Sequence, residues 1–92
     1  MFKYTANAKK KLETVFKEGG YKVRYEKGNF QPGYCILENK KVVVINKYYA
    51  LDAKINSLIE ILDQIDIETI NLSETSRSFL EKILASKKNE KQ

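Results

Sequence analysis

Cys35 is the only thiol in the 92-residue chain, and there is no histidine. Without an imidazole the chain lacks the usual general base, the usual zinc ligand and every Ser–His or Cys–His pair. Cys35 becomes a nucleophile only if cations depress its pKa, and Lys22, Arg24 or Lys41 could supply them across strands. The plainer reading of a lone strand cysteine is a small, inert hydrophobe. Glu60 and Asp63 are the other residues with chemical content, yet Glu60 also fits a solvated stripe with Asp52 and Asn56. No cofactor and no metal is expected from this set, and it argues against an enzyme.

The remaining chemistry is electrostatic and aromatic. Residues 1–47 carry eleven Lys/Arg against four Asp/Glu, whereas residues 48–72 carry one Lys against five acids. Nine of the ten aromatic residues also precede residue 50. Lys22, Arg24, Lys27, Lys40, Lys41 and Lys47 are therefore candidates for an electropositive rim that holds RNA or single-stranded DNA. Fifteen of the seventeen cations are Lys, a point charge without the planar fork that reads guanine, so any such binding is non-specific. Tyr21 and Tyr25 alternate with Val23, which turns those rings toward a core instead of a ligand. Phe30, Tyr34, Tyr48 and Tyr49 lie in or beside connections and are the candidates for contact with a protein partner. Phe30 and Tyr48 could equally fold back to cap the edge of the core.

Those residues are placed by a helix, three strands and two helices. Ala8, Leu12, Val15 and Phe16 make the apolar stripe of a helix over 5–18, with Thr5 or Asn7 as cap and Gly19-Gly20 as a left-handed stop. Tyr21 to Glu26 alternates as a strand. Pro32-Gly33 suits a type II turn, Tyr34 to Glu38 a second strand, and Asn39-Lys40 a tight hairpin loop. Lys41 to Asn46 contains four consecutive β-branched residues, which predicts burial on both faces and the centre of an antiparallel meander. Leu51, Ile55, Leu58, Ile59, Leu62 and Ile65 stripe a helix over 51–65, and Phe79, Leu80, Ile83 and Leu84 one over 74–86 capped by Ser73. Residues 68–72 fit either a short strand or a connector. The fold class is a single α+β domain over 1–86 (α-β-β-β-α-α), helices on one face of the sheet, with a polar, disordered tail at 87–92. No apolar run is long enough to cross a bilayer, and no secretory signal is visible, so a cytoplasmic protein is expected.

Val44-Ile45-Asn46 closes a strand, and Lys54-Ile55 opens a helix containing Ile59-Glu60-Ile61-Leu62-Asp63. This resembles the small zincin-like domains of ImmA/IrrE-type metallopeptidases, in which a strand leads into a helix with an Arg-Phe-x-x-Ala-His-Glu-x-x-His pattern. By that resemblance Lys54 stands at the Arg position, Ile55 at the Phe and Glu60 at the catalytic Glu, while Ile59 and Asp63 occupy the two zinc-ligand positions. The likeness spans 8–63 in topology and 44–63 in motif. It implies a degenerate scaffold without peptidase activity, because Ile59 cannot ligate a metal. The expected function is a small non-enzymatic interaction or regulatory domain that docks a protein partner. Self-association is a competitor, since Ile61, Ile67 and Ile70 exceed what the expected core takes in.

Overall fold

Thr5 starts the first helix. Its hydroxyl accepts the Ala8 N–H at 3.1 Å, and α1 (Ala6–Glu18) follows with Ala8, Leu12, Val15 and Phe16 buried as the stripe predicts. The left-handed residue that ends it is Gly20, at φ 97°, and not Gly19, at φ −82°. The structure is a computed structural model and describes residues 3–27, 34–65 and 71–90.

The strands are β1 (Lys22–Glu26), β2 (Tyr34–Leu37) and β3 (Val42–Asn46), in the spatial order β1-β3-β2. β3 is central, as its β-branched run demands, but the sheet is mixed and not an antiparallel meander. β1 runs parallel to β3, with Lys22 beside Val42 and Glu26 beside Asn46, and β2 runs antiparallel to β3, with Tyr34 beside Ile45 and Leu37 beside Val42. The reason is that a meander places its second strand in the middle. Here the third strand is the most apolar of the three and takes the site flanked on both sides, so the other two become edges. The β2–β3 connection is a 3-10 turn over Glu38–Lys40, and Lys41, not Asn39, adopts the positive φ of 54°. The expected Pro32-Gly33 turn lies outside the described residues.

Strand alternation sorts the sheet into two faces. Val23 and Tyr25 of β1, Val43 and Ile45 of β3, and Tyr34 and Ile36 of β2 share the face that packs with Leu12, Phe16, Ile55, Leu58 and Ile83 from the helices. α2 (Leu51–Leu62) stops three residues before the expected end. The N–H groups of Asp63 and Gln64 close onto the Glu60 and Ile61 carbonyls at 3.1 and 2.8 Å, and Ile65 is buried beyond that turn. Ile61 is fully buried, which removes it from any surplus left for self-association; Ile67 and Ile70 lie outside the described residues.

α3 (Glu74–Glu90) begins as expected at Ser73, whose hydroxyl accepts the Ser76 N–H at 3.2 Å, but it runs four residues past the expected end at 86, so 87–90 are helix and not a disordered tail. It packs chiefly against α1, and Ile83 joins the core beneath the sheet. The chain buries Leu72, Ser76 and Ile83, half-buries Phe79 and Leu80, and leaves Leu84 at 47 % exposure. The buried side of the helix is thus Ser76 and Ile83, rotated away from Leu84, and Ser76 is buried where its hydroxyl hydrogen-bonds the Glu18 carboxylate. Whether residues 68–72 form a strand falls mostly outside the described residues; Leu72 itself is buried. No helix among the described residues is long and apolar enough to cross a membrane.

Candidate interaction surface

Among the described residues, the second face of the sheet is the one that does not join the helix-packed core. The register sets Lys22, Arg24 and Glu26 of β1, Val42, Val44 and Asn46 of β3, and Cys35 and Leu37 of β2 on that side. None of them belongs to the helix-packed core. Val44, mid-strand and flanked on both sides, keeps 7 % of its surface; Val42 and Cys35 are half-buried, and Leu37 is 42 % exposed. Apolar side chains thus run down β3 and β2, while β1 alongside is charged. Arg24 pairs with Glu26 at 2.7 Å, an exposed ion pair that adds little to stability and leaves the row cationic through Lys22.

This geometry separates residues that the strand pattern alone could bring together. β1 and β2 are not neighbours, so Lys22 and Arg24 reach Cys35 only across β3, about 9–10 Å between strand axes. They do not flank the thiol. Lys41 precedes β3 and places its ammonium 5.8 Å from the Tyr21 ring. Lys40 sits in the 3-10 turn beside an open depression of about 560 Å3 lined by Ile36, Leu37, Asn39, Lys40 and Gln64. Lys27 and Lys47 follow the other ends of β1 and β3, where the Lys47 N–H bonds the Glu26 carbonyl at 3.1 Å. The six candidate cations are spread along both ends and one face of the sheet.

The candidate aromatic residues part company. Tyr34 packs on the core and its hydroxyl accepts from Gln64 Nε2 at 2.7 Å, and Tyr49 is also half-buried against the core. Tyr48 is 67 % exposed, with the Lys47 ammonium 5.4 Å from its ring. Phe30 lies outside the described residues. Tyr21 and Tyr25 face the helices, as their alternation with Val23 predicts.

A cluster that the sequence reading missed joins α1, β1 and α2. The Tyr25 hydroxyl donates to the Glu13 carboxylate, the Lys9 ammonium lies 3.6 Å from that carboxylate and 4.8 Å from the Tyr25 ring, and Lys54 lies 5.3 Å from the same ring. Burial, then the hydrogen bond and charge of Glu13, hold the phenol well above the usual tyrosine range. It is a proton holder at neutral pH, suited to fastening two helices to a strand and not to acting as a base. The Lys9-x-x-x-Glu13 spacing was its one sequence signal.

On α2, Ile59 is 8 % exposed, turned into the core, whereas Glu60 and Asp63 are exposed to solvent. Lys54 is engaged with Tyr25 on a different flank. Among the described residues no three His, Cys, Asp or Glu side chains stand close enough together to hold a metal ion. Compared with known proteins, the chain matches no family model, no curated protein and no solved structure.

Proposed function

We propose that the protein is a small non-enzymatic interaction domain, a metal-free degenerate zincin-like scaffold, that docks a protein partner on the helix-free face of its sheet. The observation that carries this reading is the apolar strip of Val42, Cys35 and Leu37 beside the cationic Lys22–Arg24 row. That pairing calls for a partner surface with an apolar centre and an acidic rim. The inward position of Ile59 and the exposure of Glu60 and Asp63 support a scaffold that holds no metal there. We assign it to the cytoplasm, where a single thiol stays reduced.

Leu37→Asp tests the reading. Because Leu37 is 42 % exposed, the substitution should leave the melting temperature nearly unchanged. Binding of an acidic partner should be lost in Leu37→Asp and weakened in Arg24→Glu. A partner held equally by wild type and both variants would overturn the assignment of this face.

Non-specific RNA or single-stranded DNA binding is the second reading, favoured by Lys22 and Arg24 sharing that open face. Against it, Tyr21, Tyr25 and Tyr34 pack on the helix side, so among the described residues the face offers no ring on which a base could stack. Fluorescence anisotropy with single-stranded RNA decides between them. Binding with a salt slope of about −0.7 per phosphate contacted, lost on charge reversal at Lys22, Arg24 and Lys41, would put nucleic acid first.

A further inference from the structure

Backbone hydrogen bonds reveal which groups of the sheet are left over. Lys22 N–H bonds the Lys41 carbonyl at 2.9 Å and Lys47 N–H bonds the Glu26 carbonyl at 3.1 Å. In a parallel ladder this parity directs the backbone groups of Val43 and Ile45 toward β1, and therefore those of Val42 and Val44 toward β2. Leu37 opposes Val42 and Cys35 opposes Val44, so these two β2 residues bond inward. The N–H and C=O groups of Tyr34 and Ile36 consequently point away from the sheet, along an outer edge that no other described strand pairs with.

The two edges of the sheet differ in kind. β1 carries Lys22, Arg24 and Glu26, the charged side chains that keep an edge from pairing with another strand. β2 is Tyr-Cys-Ile-Leu, with no charge, no proline and no bulge. The open depression of about 560 Å3 beside Ile36, Leu37 and Gln64 leaves space next to that edge.

We propose that β2 is the contact strand of a symmetric dimer, pairing antiparallel with β2 of a second copy to make a continuous six-stranded sheet. The occupant is a second copy because the edge is its own complement. A two-fold axis through Cys35 sets Tyr34 opposite the partner copy's Ile36 and Ile36 opposite its Tyr34, so all the outward groups of both residues are bonded at once. A two-fold centred on Ile36 instead would oppose Tyr34 to Glu38, which lies in the 3-10 turn. The uncharged edge also avoids the repulsion that two chains of net charge +5 meet elsewhere on their surfaces. The register has a consequence that can be read directly. The two Cys35 residues form a non-hydrogen-bonded pair with Cα atoms about 4.5 Å apart, inside the roughly 4.4–6.8 Å range that a disulfide spans.

Sedimentation equilibrium of the reduced protein over micromolar to millimolar concentration, with diamide cross-linking in parallel, tests the pairing. The wild type should move toward twice its 10.7 kDa mass as concentration rises. Diamide, taking two electrons and two protons from the two thiols, should convert the dimer fraction to a disulfide-linked species. Ile36→Pro removes an N–H that the intramolecular ladder does not use, and should keep the chain monomeric with strand content retained. Should that variant fail to fold, Cys35→Lys serves instead: its side chain lies on the helix-free face and sets two ammonium groups opposite each other across the axis. A wild type that stays monomeric at millimolar concentration, or a dimer that Cys35→Lys leaves intact, would overturn the proposal. Neither measurement depends on the docked partner, so the failure of that reading and of this one are separable.

Discussion

Tyr25→Phe isolates one atom of the cluster that ties α1, β1 and α2 together. It deletes the hydrogen bond to Glu13 and keeps the ring, so the Lys9 and Lys54 contacts at 4.8 and 5.3 Å survive. A hydrogen bond to a charged group contributes about 1.5–3 kcal/mol when well shielded. Glu13 keeps 30 % of its side-chain exposure and is rehydrated once the phenol is gone, which brings the expected loss down to about 1 kcal/mol. In a domain of this size that lowers the melting temperature by roughly 4–8 °C. Tyr25→Leu should lose about 1–2 kcal/mol more, since each ring–ammonium contact at a partly exposed site contributes about 0.5–1 kcal/mol. The pH dependence supplies a second, independent reading. Burial and Glu13 raise the Tyr25 pKa in the folded chain, so the unfolded chain releases this proton first. The contribution is fully present below the ordinary tyrosine value of about 10 and is lost as the pH climbs above it. Its ceiling is about 1.4 kcal/mol per pH unit, and a half-exposed phenol delivers well under that. Urea melts of both proteins at pH 7 and between pH 9 and 11 measure both effects, and the difference in slope between the two reports Tyr25. If Tyr25→Phe matches the wild type at pH 7 and declines just as steeply in alkali, the cluster does not fasten the helices.

Phe16→Ala, at the largest fully buried side chain, should cost about 3–5 kcal/mol and unfold much of the population at 37 °C, read by circular dichroism. Ile61→Ala should cost about 2–5 kcal/mol with no change in molecular mass, whereas an interface role for Ile61 would change the mass and spare the stability. Leu84→Lys should fall within about 0.5 kcal/mol of wild type, as its 47 % exposure implies. Glu18 accepts the Ser73 N–H at 3.0 Å, and this bond, with help from Ser76, holds its carboxyl below the usual range. Its contribution is present above the ordinary glutamate pKa and lost as the pH falls through the lowered one, so the protection of α3 amides relative to their intrinsic exchange rates should fall in acid, less steeply in Glu18→Gln.

Helix placement was legible because it depends on local spacing. Thr5, Ser73 and the Ala8–Leu12–Val15–Phe16 stripe signal themselves within one or two turns, and the structure uses them all as expected. Strand existence was legible for the same reason, and so was the inward turn of Tyr21 and Tyr25. Strand order was not. The Val42-Val43-Val44-Ile45 run announces a central strand, but nothing local to residues 22–26 states whether β1 lies beside β2 or beyond β3, because that choice is made by long-range burial. The rotation of α3 was hidden for a related reason. A serine at position 76 looks polar in a row of letters and becomes a core residue only when another helix approaches it closely. The candidate aromatic residues divide because position in the chain does not state exposure: Tyr34 and Tyr49 flank connections but pack on the core, and Tyr48 alone of the described three is well exposed.

The strand order does more than correct the topology; it determines which surfaces are free to interact. In a meander β2 would be the middle strand, with every backbone group bonded and Cys35 flanked on both sides. Moving β3 to the centre makes β2 an edge and sends the charged strand β1 to the opposite edge. Lys22, Arg24 and Glu26 therefore guard the side that must not pair, and an uncharged four-residue strand is left unguarded on the other. Pairing through β2 would also join the helix-free faces of two copies. The Val42–Cys35–Leu37 strip would then run unbroken across the two-fold axis, with a cationic β1 row at each far margin. The face becomes wider in two copies than in one, because the apolar centre doubles while the charges stay at the rim. Dimerisation and docking are then linked equilibria. A substitution such as Ile36→Pro, which removes an outward N–H of the edge and leaves the side chains of the helix-free face unchanged, should weaken partner binding at low protein concentration and do so less as the concentration rises. Concentration-independent weakening would separate the edge from the face and leave each to act alone.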